Sequence, residues 1–313
     1  MVSGDQLRGL ARRAEAVALP AAAILALAFH ATLPSRLPEE ADHAAAAAAV
    51  AAGKQPGDVV LLHPWWTERA RLFAPEDVPV VGYLGSDRAN LEQAPRIWLL
   101  SQPGLPHAGA GEFRDAFFPG RSPLGEERRF GTLRLSLFRN GRFRPTLFSA
   151  AAALAQARAW VESAPGVKRW ECVPDGRGGF QCPGSNARAS VEWQEVRFEP
   201  RRCAHLSPPG GPDRLVLEFP AAPAADRLSL EAGLIWEFAA YRNPHLRPVV
   251  VGVDDGAGAT LAQVTINPGE EGYHRDLRPG PSAGPLRLWI RAELEESREV
   301  CADVLAQGPE AGP

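Results

Sequence analysis

The chain has 313 residues, 45% hydrophobic and 23% charged, with a formal charge of -3. That length and hydrophobic content support two folded domains, and the small net charge excludes the basic excess that nucleic acid or a wide anionic lipid surface demands. Gly and Pro, 30 of each, predict many turns and short strands.

Residues 1–15 form a basic flank carrying Arg8, Arg12 and Arg13, ahead of an apolar stretch at 16–33, AVALPAAAILALAFHATL. As a helix this stretch spans roughly 27 Å, against a bilayer core of about 30 Å. It is expected to be a transmembrane anchor, with the basic flank cytoplasmic and the bulk of a single-pass inner-membrane protein in the periplasm or otherwise outside. The competing reading is a cleaved signal peptide with Ala26-Leu27-Ala28 as its A-x-A site. Both readings export residues 34–313.

Residues 34–165 alternate strand and helix patterns. DHAAAAAAVAAG (42–53) is a helix former ending at Gly53. DVVLLHP (58–64), VPVVGYLG (78–85) and RIWLLSQP (96–103) are apolar runs of buried-strand type, while WWTERARLFAP (65–75) and EFRDAFF (112–118) read as helices. GTLRLSLFR (131–139) alternates as a half-buried edge strand. TLFSAAAALAQARAWVES (146–163) reads as a strong helix, ended by Ala164-Pro165-Gly166. Apolar strands separated by helices imply a small α/β, Rossmann-like domain with a parallel or mixed sheet.

In residues 166–313 the helical signal disappears. Strand patterns recur at 190–200, 213–220, 227–241, 248–255, 260–268, 285–294 and 298–306, divided by turn clusters such as DDGAG and NPGEEG. This predicts a two-layer β-sandwich. The fold class is therefore α+β multidomain: membrane helix, α/β domain, then a disulfide-stapled jelly roll.

Exported cysteines in even number read as disulfides. Cys203–Cys301 would tie the two ends of the sandwich through a loop of about 100 residues, and Cys172–Cys182 would close a loop of roughly ten. The other two connectivities cross these segments. Neither pair has zinc-ligand spacing, so no metal is expected.

His63 ends the first predicted strand and is followed by Trp65 and Trp66. Ligands of open α/β sheets bind outside the carboxyl ends of strands, which makes this the best ligand edge, with Ser86, Asp87 and Ser101 as neighbours; the tryptophans would serve equally as a packing wedge. Tyr241, Arg242, His245, Tyr273 and His274, near loops of the sandwich, suit sugar stacking and hydroxyl recognition, or equally a core and its rim. His107-Ala-Gly-Ala-Gly-Glu112 is too short for a phosphate cradle, and Asp254-Asp255-Gly256 lacks calcium-loop spacing. No H-E-x-x-H or Walker A string is present, and no catalytic residue and no cofactor is assigned.

The stretch GDVVLLHPWWTERARLF…VPVVGYLG…RIWLLSQP, within residues 57–140, resembles the extracytoplasmic C-terminal domain of glycosyltransferases of the dolichyl-phosphate-mannose protein mannosyltransferase type. That resemblance implies a small α/β domain near lipid-linked sugars. It does not imply catalysis, because the many membrane helices and the acidic loop residue of that family are missing. Residues 170–306, with WECVPDG…QCP…VEWQEVRFEPRRCAHLSPP and GLIWEFAAYR…PVVVGVDD…GYHRDL…LWIRAEL…REVCADV, resemble galactose-binding-like β-sandwiches. These imply a jelly roll that binds carbohydrate or packs on a partner domain. The expected function is a membrane-anchored, non-catalytic accessory of envelope glycan assembly, binding saccharide or a polytopic membrane glycosyltransferase. The alternatives are a sugar transferase or hydrolase working at the His63 edge, and a structural envelope protein without a small ligand.

Overall fold

A computed structural model describes residues 4–32, 37–64, 67–82, 91–103, 110–196, 199–235, 247–270, 272–293 and 298–312. The chain divides into two compact units, Met1–Tyr83 with Arg96–Arg139, and Leu84–Pro95 with Asn140–Pro313.

The first unit begins with helix α1 (Gly4–Thr32) and helix α2 (Glu40–Gly53). Among the described residues no helix is long and apolar enough to cross a membrane, which overturns the expected single-pass inner-membrane anchor. The physical reason lies in the composition of residues 16–33. Alanine methyls contribute little transfer free energy, and Pro20 and His30 subtract from what the leucines supply.

Strand β1 (Val59–His63) follows, then a 3-10 helix (Glu68–Leu72), β2 (Val80–Gly82) and β3 (Arg96–Ser101). Helix α3 (Ala110–Phe117) precedes β4 (Arg121–Pro123), β5 (Arg128–Phe130) and β6 (Leu133–Asn140). They form one six-stranded sheet, ordered β2-β1-β3-β6-β4 with β5 on β6. Alternation divides its faces. Val60, Leu62, Trp98, Leu100, Leu133 and Leu135 pack on Ala46, Ala49 and Val50 of α2. Below Trp98, the buried carboxylate of Asp58 accepts hydrogen bonds from the Trp98 indole at 2.8 Å and from Arg96 at 2.6 and 2.8 Å. Burial opposes its charge, yet the bonds from Arg96, Trp98 and the Gln55 amide hold its carboxyl below the ordinary value.

This unit is not the Rossmann-like domain expected. β2, β1 and β3 run parallel, but the described part of the β1–β2 connection holds a short 3-10 helix instead of a covering α-helix, and β6 joins antiparallel to β3 and β5. Residues 131–139, expected at an edge, lie inside the sheet between β3 and β4. The helix expected over 146–163 is absent as well. Its residues form β7 (Thr146–Ser149), a 3-10 turn (Leu154–Gln156) and β8 (Arg158–Ala164), all in the second unit. Tertiary pairing has overridden alanine's helix propensity. Ala159 and Val161 enter the sandwich core, while Trp160 points to the opposite face of the strand. The chain is thus mostly β, and the α+β description fails.

After β8 come β9 (Val167–Glu171), β10 (Val173–Pro174), β11 (Phe180–Gln181), β12 (Arg188–Val196), β13 (Glu199–Ser207), β14 (Arg214–Ala222) and β15 (Arg227–Leu234). The chain closes with β16 (Val249–Asp255), β17 (Thr260–Ile266), β18 (His274–Pro279), β19 (Gly284–Ala292) and β20 (Val300–Gln307). An eight-stranded sheet runs β10-β11-β12-β13-β20-β15-β18 with β7 on β20, and a six-stranded sheet runs β17-β16-β19-β14-β8-β9. Leu215, Leu217, Val251, Val253, Leu288 and Ile290 of the second sheet meet Leu206, Leu228, Leu230, Val300, Ala302 and Val304 of the first in one core. A β-sandwich is therefore present. Cys172 pairs with Cys182 and Cys203 with Cys301.

Both outer faces are unusually rich in buried polar groups. On the six-stranded sheet, register lines up Trp160, Val216, Trp289 and Gly252 across β8, β14, β19 and β16. A Cβ on Gly252 would lie 2.3 Å from the Trp289 ring, so this row admits only glycine there. Arg214 bridges Glu162 at 2.5 Å and Asp254 at 3.3 Å, and each carboxylate also accepts an indole N–H, from Trp160 and Trp289 respectively, at 2.9 Å.

On the eight-stranded sheet, Arg201 and Arg275 pair with Glu231, and Asp303 accepts from Ser149 Oγ and the Ala151 and Val304 amides. Burial, reinforced by the charge of Glu231, pushes the Asp303 carboxyl from 3.8 up to about 6 despite those bonds. The folded chain therefore holds a proton there that the unfolded chain releases, so Asp303 adds stability as pH falls through that window and loses it as pH rises. Asp303→Asn, which keeps the shape and removes the charge, is expected to erase this difference. Urea unfolding of both proteins from about pH 7 to about pH 4 checks it: the wild type gains on the variant toward acid, and a constant gap refutes the assignment.

Candidate functional site

The disulfide Cys172–Cys182 joins the end of β9, an edge strand of the six-stranded sheet, to the end of β11 near the edge of the other. Its Cα atoms are 4.0 Å apart, so it brings the segment before Cys172 against the turn after Cys182. A cleft of about 420 Å3 opens beside it, lined by Arg169, Trp170, Gly184, Ser185, Asn186, Pro209 and Asp213. β9 supplies the first two, the turn after Cys182 the next three, and the β13–β14 connection the last two. Gly184 has φ of +74°, and a Cβ there would come 3.3 Å from the Trp170 indole nitrogen. Glycine at this position lets the turn lie close to the tryptophan edge.

Asp213 stands immediately before β14 and is 6% exposed. Its Oδ2 accepts a hydrogen bond from Arg169 Nη1 at 2.9 Å, and the Arg169 guanidinium lies 5.4 Å from the Trp170 ring centre. Oδ1 is buried and has no hydrogen-bond partner among the described residues. A buried acceptor left unmatched costs about 1–3 kcal/mol. The cleft thus combines a half-buried indole, an unmatched carboxylate oxygen, an amide, a hydroxyl and a guanidinium. Such a set recognises a polar molecule that also has an apolar face.

The residues singled out in the sequence fall elsewhere. Trp65, Trp66, Tyr241, Arg242 and His245 lie outside the described residues. His63 is half-buried at the end of β1, stacked on Phe113 with ring centres 3.7 Å apart. The Tyr273 hydroxyl sits 2.8 Å from Cys301 Sγ, and the Arg201 guanidinium covers its ring at 3.8 Å. It packs on the Cys203–Cys301 disulfide, and neither it nor His274 lines the cleft. His274 lies 3.7 Å from Glu270 across a single turn. Trp170, Asp213, Asn186 and Arg169 were not foreseen. The one sequence signal for them was Trp170 two positions before a cysteine whose partner is followed by the turn Gly184-Ser185-Asn186.

No family model and no curated protein sequence matches the chain. Solved structures similar to it include carbohydrate-binding modules. One comprises a family 51 module with GlcNAc and the INT domains of ZmpB from Clostridium perfringens, at 8% identity and a TM-score of 0.26, covering 37% of this chain. This chain spans 25% of the length of that structure. Another is the family 51 module of a Clostridium perfringens GH95 protein with methyl-galactose, at 7% identity and a TM-score of 0.24, covering 37% of this chain and 79% of the module. A family 35 module from Clostridium thermocellum has 8% identity and a TM-score of 0.24, covering 38% of this chain and 87% of that one. Likenesses this distant assign no ligand to the cleft.

Proposed function

We propose that the second unit is a non-catalytic saccharide-binding β-sandwich whose ligand sits in the Trp170–Asp213 cleft. The observation that carries this reading is the lining of the cleft, which sets the Asp213 carboxylate, paired through one oxygen with Arg169, beside the Trp170 indole. A sugar hydroxyl donates to the Asp213 carboxylate while the C–H face of the ring packs on Trp170, and Asn186 and Ser185 serve neighbouring hydroxyls. The volume of about 420 Å3 suits one or two sugar rings. Two disulfides fit an oxidising compartment outside the cytoplasm, where envelope glycans are assembled. We place the protein there as an accessory of that assembly, with a glycosyltransferase as its partner.

The test is saturable binding of the purified full chain to a broad panel of immobilised glycans. At least one glycan is expected to bind, with affinity reduced roughly 10- to 100-fold by Asp213→Asn and by Trp170→Ala, as for loss of a charged hydrogen bond or an aromatic anchor. Binding to no glycan overturns the reading. So does binding that survives both substitutions in folded protein.

A further inference from the structure

A second cleft, of about 400 Å3, lies in the first unit and is lined by His63, Ser101, Phe113, Arg114, Arg134 and Ser136, among others. It opens where β1 and β3 end. Register places His63 opposite Ser101 and Ser101 opposite Arg134, so the three form one row across β1, β3 and β6. At roughly 4.8 Å between neighbouring strands, the row spans about 10 Å. Ser136 lies two residues further along β6, on the same face as Arg134. The imidazole of His63 is held flat against Phe113, with an interplanar angle of 13°.

Among the described residues the charge in this cleft is not balanced: two guanidinium groups, Arg114 and Arg134, line it with one carboxylate, Glu127. Glu127 is 3.6 Å from Arg134 and is shared with Arg129 at 3.7 Å, while Arg134 keeps 41% of its side chain exposed. An ion pair this long and this exposed is a weak hold on either group. Arg114 projects from the last turn of α3 and is exposed. Two forked cations, two hydroxyls and an imidazole lining one cleft match an oxyanion, which takes paired N–H donors from arginine and single donors from serine.

We propose that this cleft binds a small molecule through a carboxylate or phosphate group, with Arg134 and Arg114 as the anchoring cations and Ser101 and Ser136 as hydroxyl donors. The proposal is independent of the saccharide reading, since no residue of the sandwich enters it.

Calorimetric titration of the full chain with inorganic phosphate, glucose 6-phosphate, glucuronate and neutral glucose tests it. At least one anion is expected to saturate at millimolar concentration, glucose is not, and affinity is expected to fall as salt rises. Arg134→Gln is expected to weaken the anion roughly 10- to 100-fold, the loss of a hydrogen bond to a charged group. Should that variant fail to fold, Arg114→Gln decides, because its side chain is exposed and its loss disturbs little. Saturation by glucose 6-phosphate alone identifies a phosphate ester, and saturation by glucuronate alone an acidic sugar; either supports the proposal. No saturable anion, or an anion that binds equally to the folded variants, overturns it.

Discussion

Replacing Cys203 and Cys301 together by Ala is expected to lower the stability of the sandwich by about 5 kcal/mol, the chain-entropy value for a closed loop of this size. The two cysteines are 98 residues apart, and the loop between them holds β14 to β19. Few local contacts restrain that loop in the unfolded chain, because the pairings within it join distant strands such as β14 with β19 and β16 with β19. The bond also supports the Tyr273 hydroxyl and the small cluster of Val196 with both cysteines, so the substitution loses packing in addition. Replacing Cys172 and Cys182, only 10 residues apart, should cost about 2–3 kcal/mol by the same reasoning. Urea unfolding of the two double variants measures both. Equal losses, or a larger loss at Cys172–Cys182, would refute the loop argument.

The second large effect is expected at Arg214. Its guanidinium stands between two carboxylates, Glu162 and Asp254, whose side chains are each 3% exposed. Arg214→Met fills similar volume yet leaves both carboxylates buried without their cation. Breaking a buried pair in this way costs about 3–5 kcal/mol, since charge is left uncompensated in a poorly solvated place. The two indole N–H bonds soften the loss without removing it. Adding Glu162→Gln and Asp254→Asn to Arg214→Met should restore much of the stability, because the charges then vanish together. Denaturation midpoints of the single and triple variants check this, and a triple variant no more stable than Arg214→Met would falsify it.

Much of the sandwich was legible because its strands alternate. The alternation in 248–255 and 260–268 predicts strands, and β16 and β17 form there with Val251, Val253, Ala262 and Val264 turned to the core. The pairing of the four cysteines was legible for a related reason: it follows from where the strands begin and end. What misled the reading was alanine. In residues 16–33 it looked like membrane span, and in 146–163 like helix, because a methyl group is compatible with nearly every environment and specifies none. Only Ala159-Trp160-Val161, with its core residues two apart, carried the strand signal in the latter segment. The cleft was hidden for a different reason. Trp170, Asn186 and Asp213 come from a strand and two separate connections, and nothing in a linear pattern says that they meet.

That gathering bears on how such a protein can change over generations. Two walls of the cleft are set on turns, at Gly184-Ser185-Asn186 and at the connection carrying Pro209 and Asp213, while Arg169 and Trp170 stand on β9 and most core residues on strands. Turns accept substitution and insertion far more readily than paired strands do. Selectivity for one ligand over another can therefore drift by exchange of a few surface side chains, with the sandwich beneath unaltered and the Cys172–Cys182 bond keeping the rim in register. Kin that share this architecture are expected to differ most at those positions, and to be recognised by the disulfide and its neighbouring tryptophan sooner than by any common ligand.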